Sequence, residues 1–164
     1  MLKTLLVAVT LAAAAATMST AAAPRASHLA VTTATDFVAD VVGPYLAIQS
    51  ALVNDDLAPV AAAAKSLQKG AVTLGAEGKA LAAAAAKTAD AKSLEAARAA
   101  FGDLSTALIA YADTTKQPIE GKIVAFCPMV NKSWVQADGT IANPYYGKAM
   151  STCGNSTRKL STTR

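Results

Sequence analysis

The chain has 164 residues and a formal net charge of +4 at pH 7, and 41 of its residues are alanine, a length that bounds it to one modest domain plus tails. With aromatic residues at 5% and charged residues at 16%, this composition favours slim, closely packed helices over a large α/β enzyme or a β-sandwich, because alanine forms helix well and fills a core poorly. Nine Gly, six Pro and two Cys exclude collagen-like, disulfide-dense and extensively disordered classes, and the mild charge, with no Lys/Arg cluster among aromatics, excludes nucleic-acid binding.

Residues 1–22 read as a secretory signal peptide. Met1-Leu2-Lys3 is a short basic start, Leu5 to Ala16 is free of charge, and Ser19-Thr20-Ala21-Ala22-Ala23 is a small-residue exit, which is the pattern of a cleaved export signal. The run falls short of the roughly 20 apolar residues that span a bilayer, so the mature chain is expected to have no membrane span and to be periplasmic or secreted. Residues 23–35 are small and polar, a flexible lead-in.

From Asp36 onward the periodicity is helical. Phe37, Val41, Tyr45, Ile48 and Leu52 recur at spacings of four, four, three and four, one face of a helix. Gly43-Pro44 predicts a kink or a fresh helix with Pro44 in its first turn. Leu57, Val60, Ala64, Leu67 and Ala71 mark a second helix, and Ala80 to Lys87 is alanine-rich with little side chain to bury. The longest seam is Leu94, Ala97, Phe101, Leu104, Leu108 and Tyr111, the mark of a helix lying along its neighbours at a shallow angle. The expected fold is all-α, an antiparallel three- or four-helix bundle across 36–155. Because the seam ends before Pro118, the bundle is expected to stand without the residues beyond that proline.

The texture changes in 119–155, expected to be a loop or hairpin unit rich in sulfur. Asp138-Gly139 signals a tight hairpin, and Asn143-Pro144-Tyr145-Tyr146-Gly147 a turn. Beyond the signal segment the only sulfurs are Cys127, Met129, Met150 and Cys153. Spacing three puts Met150 and Cys153 on one face of a helical turn, and spacing two puts Cys127 and Met129 on one face of an extended segment. Thiolates and thioethers are soft ligands that select monovalent copper or silver, whereas zinc rarely takes Met. The residues leave two readings open. One is a soft-metal site of these four sulfurs; the other is a Cys127–Cys153 disulfide in an oxidising compartment, with both Met residues as packing. No nucleophile–base pair stands out, so no enzyme and no organic cofactor is expected. Residues 156–164 are polar and basic, expected to be a disordered tail.

The string Phe126-Cys127-Pro128-Met129, followed by Asn143-Pro144-Tyr145-Tyr146-Gly147 and by Met150 and Cys153-Gly154, resembles a bacterial periplasmic domain-of-unknown-function family. That family carries a C-P-M … N-P-Y-Y-G-x-x-M-x-x-C-G motif and occurs alone or fused to copper/silver efflux membrane-fusion proteins. The resemblance implies a helical domain ending in a loop that binds Cu(I), with Ag(I) as its mimic. It also implies a role in copper tolerance by sequestration or hand-off to a periplasmic efflux adaptor or another copper protein. The rival expectation is a non-enzymatic structural or protein-interaction module stapled by Cys127–Cys153.

Overall fold

The helical part begins at an acidic cap. The Asp36 carboxylate accepts from the Val38 and Ala39 amides at 3.1 Å each, satisfying two donors that a helix start leaves without partners. The computed structural model describes residues 36–161; the expected signal segment 1–22 and lead-in 23–35 lie outside the described residues. A π-helical stretch, Val38–Val42, runs directly into helix α1, Gly43–Val53, with Pro44 in its first turn. Pro44 has no N–H to donate and its ring crowds the carbonyl four residues back. The chain meets that demand with wider turns, the Gly43 amide reaching back to the Val38 carbonyl.

Helix α2 spans Val60–Thr73, α3 Lys79–Ala89 and α4 Leu94–Thr115. Consecutive helices pack on one another, and the expected faces are the buried ones: Val41, Tyr45, Ile48, Leu52, Ala64, Leu67, Ala97, Phe101, Leu104 and Leu108 are fully enclosed. The alanine-rich segment is α3. It buries Leu81, Ala85, Thr88 and Ala89, its short side chains suiting a close approach. Gly70 of α2 sits against the Asp40 backbone of the π turns, where a β-carbon would clash with the carbonyl. Ser93 caps α4 by accepting from the Ala96 amide at 3.1 Å, and the helix ends at Lys116 in a left-handed conformation, φ 57°.

The fold is not all-α. Three strands follow the helices, β1 Lys122–Cys127, β2 Lys132–Ala137 and β3 Asn155–Lys159, forming an antiparallel sheet in the order β2-β1-β3. The protein is therefore mixed, four helices plus a sheet, and this corrects the bundle expected from the sequence. Apolar runs as short as Ile123-Val124-Ala125-Phe126 carry no period that separates strand from loop. Strand β3, Asn-Ser-Thr-Arg-Lys, is exposed along its whole length and shows no hydrophobic pattern at all. It also replaces part of the tail expected to be disordered, since residues 155–159 pair with β1. Leu160 is buried behind them, its amide donating to the Lys122 carbonyl and its carbonyl accepting from the Ile119 amide. One residue of β3, Thr157, is taken up in a bulge between the pairs Val124–Arg158 and Ala125–Ser156.

The hairpin is also displaced from its expected position. It turns at Pro128–Asn131, with Asn131 at φ 52°, and Asp138-Gly139 lies at the far end of β2. There the Asp138 amide donates to the Gly121 carbonyl at 3.0 Å, closing the open end of the strand pair.

Helices and sheet share one core. The Tyr45 ring stacks on Phe101 of α4, centroids 4.9 Å apart. Its hydroxyl sits 2.7 Å from Ser105 Oγ and accepts from the Val135 amide at 3.0 Å. Tyr145 packs against the edge of Trp134 and donates to the Ser133 carbonyl at 2.7 Å. Ser133 and Val135 are two apart on β2, an outer strand, so these backbone groups face the same unpaired edge. Both tyrosine hydroxyls are held well above the ordinary phenol range, chiefly by burial, and stay protonated. The helices therefore bury part of their core against the sheet.

Tyr45→Phe keeps the ring but leaves the Val135 amide buried without its acceptor, a loss of about 1–3 kcal/mol. The urea midpoint should fall accordingly at unchanged slope; an unchanged midpoint would show that the hydroxyl is dispensable. A chain truncated after Pro118 should lose cooperative thermal unfolding, because Tyr45 loses the β2 edge and Phe101 loses the Tyr145 ring that pack on them. A sharp melt of that fragment by circular dichroism would contradict the shared core.

Candidate functional site

Strand β1 ends at Cys127, and β3 lies on its other edge with Phe126 opposite Asn155. That register delivers Cys153, two residues before Asn155, to the end of β1. The two sulfurs are 3.2 Å apart, both as free thiols. Cys127 is fully buried and Cys153 partly exposed.

The backbone after Cys127 turns back toward its sulfur. The amides of Val130 and Met129, the Cys153 thiol and the Asn143 carboxamide all interact with it. Burial works to raise the Cys127 thiol, but these hydrogen bonds outweigh it and the net direction is downward. The Cys153 thiol is pushed up, first by its hydrogen bond to Cys127 and then by partial burial. The first proton therefore leaves Cys127, and Cys153 donates to the resulting thiolate.

Asn143 organises the loop around the pair. It is fully buried; its Nδ2 donates to the Cys153 carbonyl at 2.7 Å, and its Oδ1 accepts from the Tyr145 amide at 2.8 Å and the Tyr146 amide at 3.3 Å. The Gln136 side chain braces the approach to this loop, accepting from Trp134 Nε1 at 3.0 Å and from the Ala142 amide at 2.9 Å. Gly154, at φ 134°, lies flat on Trp134; a β-carbon there would stand 2.8 Å from the ring and 2.9 Å from the Phe126 carbonyl.

A second clamp holds the loop to the helices. Arg98 of α4 donates to the Pro144 carbonyl at 3.0 Å, to the Leu52 carbonyl at 3.1 Å and to the Asp55 carboxylate. Asp55 also accepts from the Lys148 amide at 3.3 Å. Gly147, at φ 55°, faces this pair so closely that a β-carbon would collide with both the carboxylate and the guanidinium, which is why the loop has glycine there. The hydrogen bond from Arg98 holds the Asp55 carboxyl below the usual carboxylate range.

Of the four sulfurs expected to converge, the fold brings Cys127 and Cys153 into contact. Met129 lies beyond the end of the strand, in the turn, 63% exposed, so the same-face spacing of an extended segment does not apply to it. Met150 is half-buried at the end of a short 3₁₀ turn, Gly147–Met150, where its carbonyl accepts from the Cys153 amide at 3.1 Å. Among the described residues no three His, Cys, Asp or Glu side chains group as a metal site, and no helix is long and apolar enough to cross a membrane. Asn143, Arg98 and Asp55 were not among the expected site residues. Asn143-Pro144 was legible as a turn, whereas nothing in the sequence joins Arg98 to a loop some 46 residues away.

Residues 41–120 match the model of a family described as Protein of unknown function (DUF3347). The matched stretch covers the helices and ends before Cys127, so it is the helical part that is similar to a domain of unknown function. No curated protein and no solved structure matches the chain.

The clamp has a pH consequence. A carboxyl depressed in the folded state stabilises the fold above its unfolded pKa, and that contribution is lost as pH falls through the folded value. Thermal stability should therefore drop on the acid side of the ordinary carboxylate range, and Asp55→Asn should flatten that limb of a melting-temperature profile. An acid limb identical in the two proteins would remove Asp55 from this role.

Proposed function

We propose that this chain is an exported, periplasmic or secreted, non-enzymatic protein that binds Cu(I), with Ag(I) as a mimic. Cys127 and Cys153 are its thiolate ligands, and Met129 and Met150 its outer thioether ligands. Its role is copper tolerance, by sequestration or by hand-off to an efflux adaptor or another copper protein. The observation that carries this reading is the 3.2 Å contact between the two sulfurs, one of which is supplied with amide donors that favour its thiolate.

The donor chemistry fits a soft cation. Metal ligation by cysteine requires the thiolate, and the Val130 and Met129 amides lower the cost of forming one in a buried place. Two adjacent thiolates prefer a soft monovalent ion over hard cations. Met129 is exposed beside the buried Cys127, a position from which a thioether meets an incoming ion first. Export is supported by the basic start, short apolar run and small-residue exit of residues 1–22, and the copper role by the resemblance of the Cys127 to Gly154 stretch.

The same contact favours a second reading, a structural or interaction module with Cys127–Cys153 as a staple. Closing the 26-residue separation between them would contribute about 3–4 kcal/mol in the chain-entropy model.

The two readings separate in a competition titration against a Cu(I) chelator under anaerobic, reducing conditions. Cys127→Ser or Cys153→Ser should nearly abolish binding, and Met129→Leu or Met150→Leu should weaken it less while conserving volume. Equal affinity in the wild type and the double Cys variant would remove the metal site and leave the staple.

A further inference from the structure

The two sulfurs touch, yet solvent reaches them unequally. Cys127 is enclosed behind the Pro128–Asn131 turn, and Cys153 is partly open. From this asymmetry the geometry points to a second chemistry at the pair, thiol–disulfide exchange with small thiols and disulfides, entered at Cys153 and closed by Cys127. It goes beyond metal binding and rests on contact and access alone.

The steps balance with a small disulfide RSSR as oxidant. The Cys153 proton passes across the 3.2 Å contact to the Cys127 thiolate, and the Cys153 sulfur attacks one sulfur of RSSR; a Cys153–SR bond forms, the RS–SR bond breaks, and the released RS⁻ takes up the proton that Cys127 had first given to water. Cys127, 3.2 Å away, then attacks the Cys153 sulfur. The intramolecular bond closes to about 2.05 Å, the second RS⁻ leaves with the Cys127 proton, and RSSR has been reduced to two RSH while the dithiol is oxidised to a disulfide. In the reverse direction RS⁻ attacks the sulfur it can reach, that of Cys153, and Cys127 departs as a thiolate. A second RS⁻ attacks the outer sulfur of the mixed disulfide, regenerating RSSR and freeing Cys153. Exchange is fastest where the attacked sulfur is accessible, and of the two sulfurs that is the one on Cys153.

Glutathione disulfide is the probe, added to the reduced full chain without metal, with acid quench and peptide mass mapping. The wild type should lose two protons and carry glutathione only transiently. Cys127→Ser should retain one glutathione on Cys153, and Cys153→Ser should be modified at least ~10-fold more slowly, because its remaining thiol is enclosed. A lasting adduct on the wild type, no oxidation of the wild type, or equal rates in the two variants would overturn the assignment. A measurement on the wild type alone guards against misfolded variants: brief native alkylation with iodoacetamide should label Cys153 before Cys127, and the opposite order would overturn it as well. These readouts are metal-free, so failure of Cu(I) binding and failure of exchange are separately visible.

Discussion

The hydroxyl of Tyr45 is the point on which the two layers depend. It stands on α1, rests its ring on α4, and accepts the outward amide of Val135 on the edge of β2. An unpaired strand edge buried against helices would leave backbone donors and acceptors without partners, at a cost comparable to lost hydrogen bonds. Tyr45 and Tyr145 fill the Val135 and Ser133 positions of that edge, so a three-stranded sheet can lie against alanine-rich helices without a fourth strand. Because those helices carry few large side chains, the aromatic cluster of Tyr45, Phe101, Trp134 and Tyr145 supplies bulk that alanine cannot.

The thiol pair inherits its rigidity from this arrangement. Cys127 is the last residue of the central strand, and Cys153 lies two residues before the neighbouring strand, at the end of a loop fixed internally by Asn143 and externally by Arg98. Two independent sets of hydrogen bonds thus converge on one sulfur–sulfur contact: one from the sheet and loop, the other from α4 and the Asp55 turn. Whether the pair meets a metal ion or another sulfur, it does so with little freedom left to lose.

Legibility from the sequence tracked the strength of the periodic signal. The seams Phe37 to Leu52 and Leu94 to Tyr111 identified buried helix faces because large apolar residues recur every three or four positions. A hairpin was expected after Pro118, but the sheet itself was not legible, for opposite reasons: β1 is apolar almost throughout, and β3 is polar throughout, so neither alternates. Asp138-Gly139 is a sound turn signal in isolation, but the pairing of Cys127 with Lys132 had already placed the turn at Pro128–Asn131. The proximity of the two cysteines was readable as a possibility from their isolation in the chain. The reading of Met129 as a strand neighbour was not, because it required the strand to continue one turn too far.

The bulge at Thr157 bears on all of this through simple counting. With Thr157 absorbed, Phe126 faces Asn155. Were the ladder regular from Arg158 onward, Cys127 would face Asn155 instead, and Cys153 would sit one position farther along. That displacement is about 3.3 Å per residue, as large as the present 3.2 Å gap between the sulfurs, and a one-residue slip also turns every side chain to the opposite face. One bulged threonine on an exposed outer strand, its hydroxyl donating to the Val124 carbonyl, therefore acts as a spacer that sets the distance between two thiols it never touches.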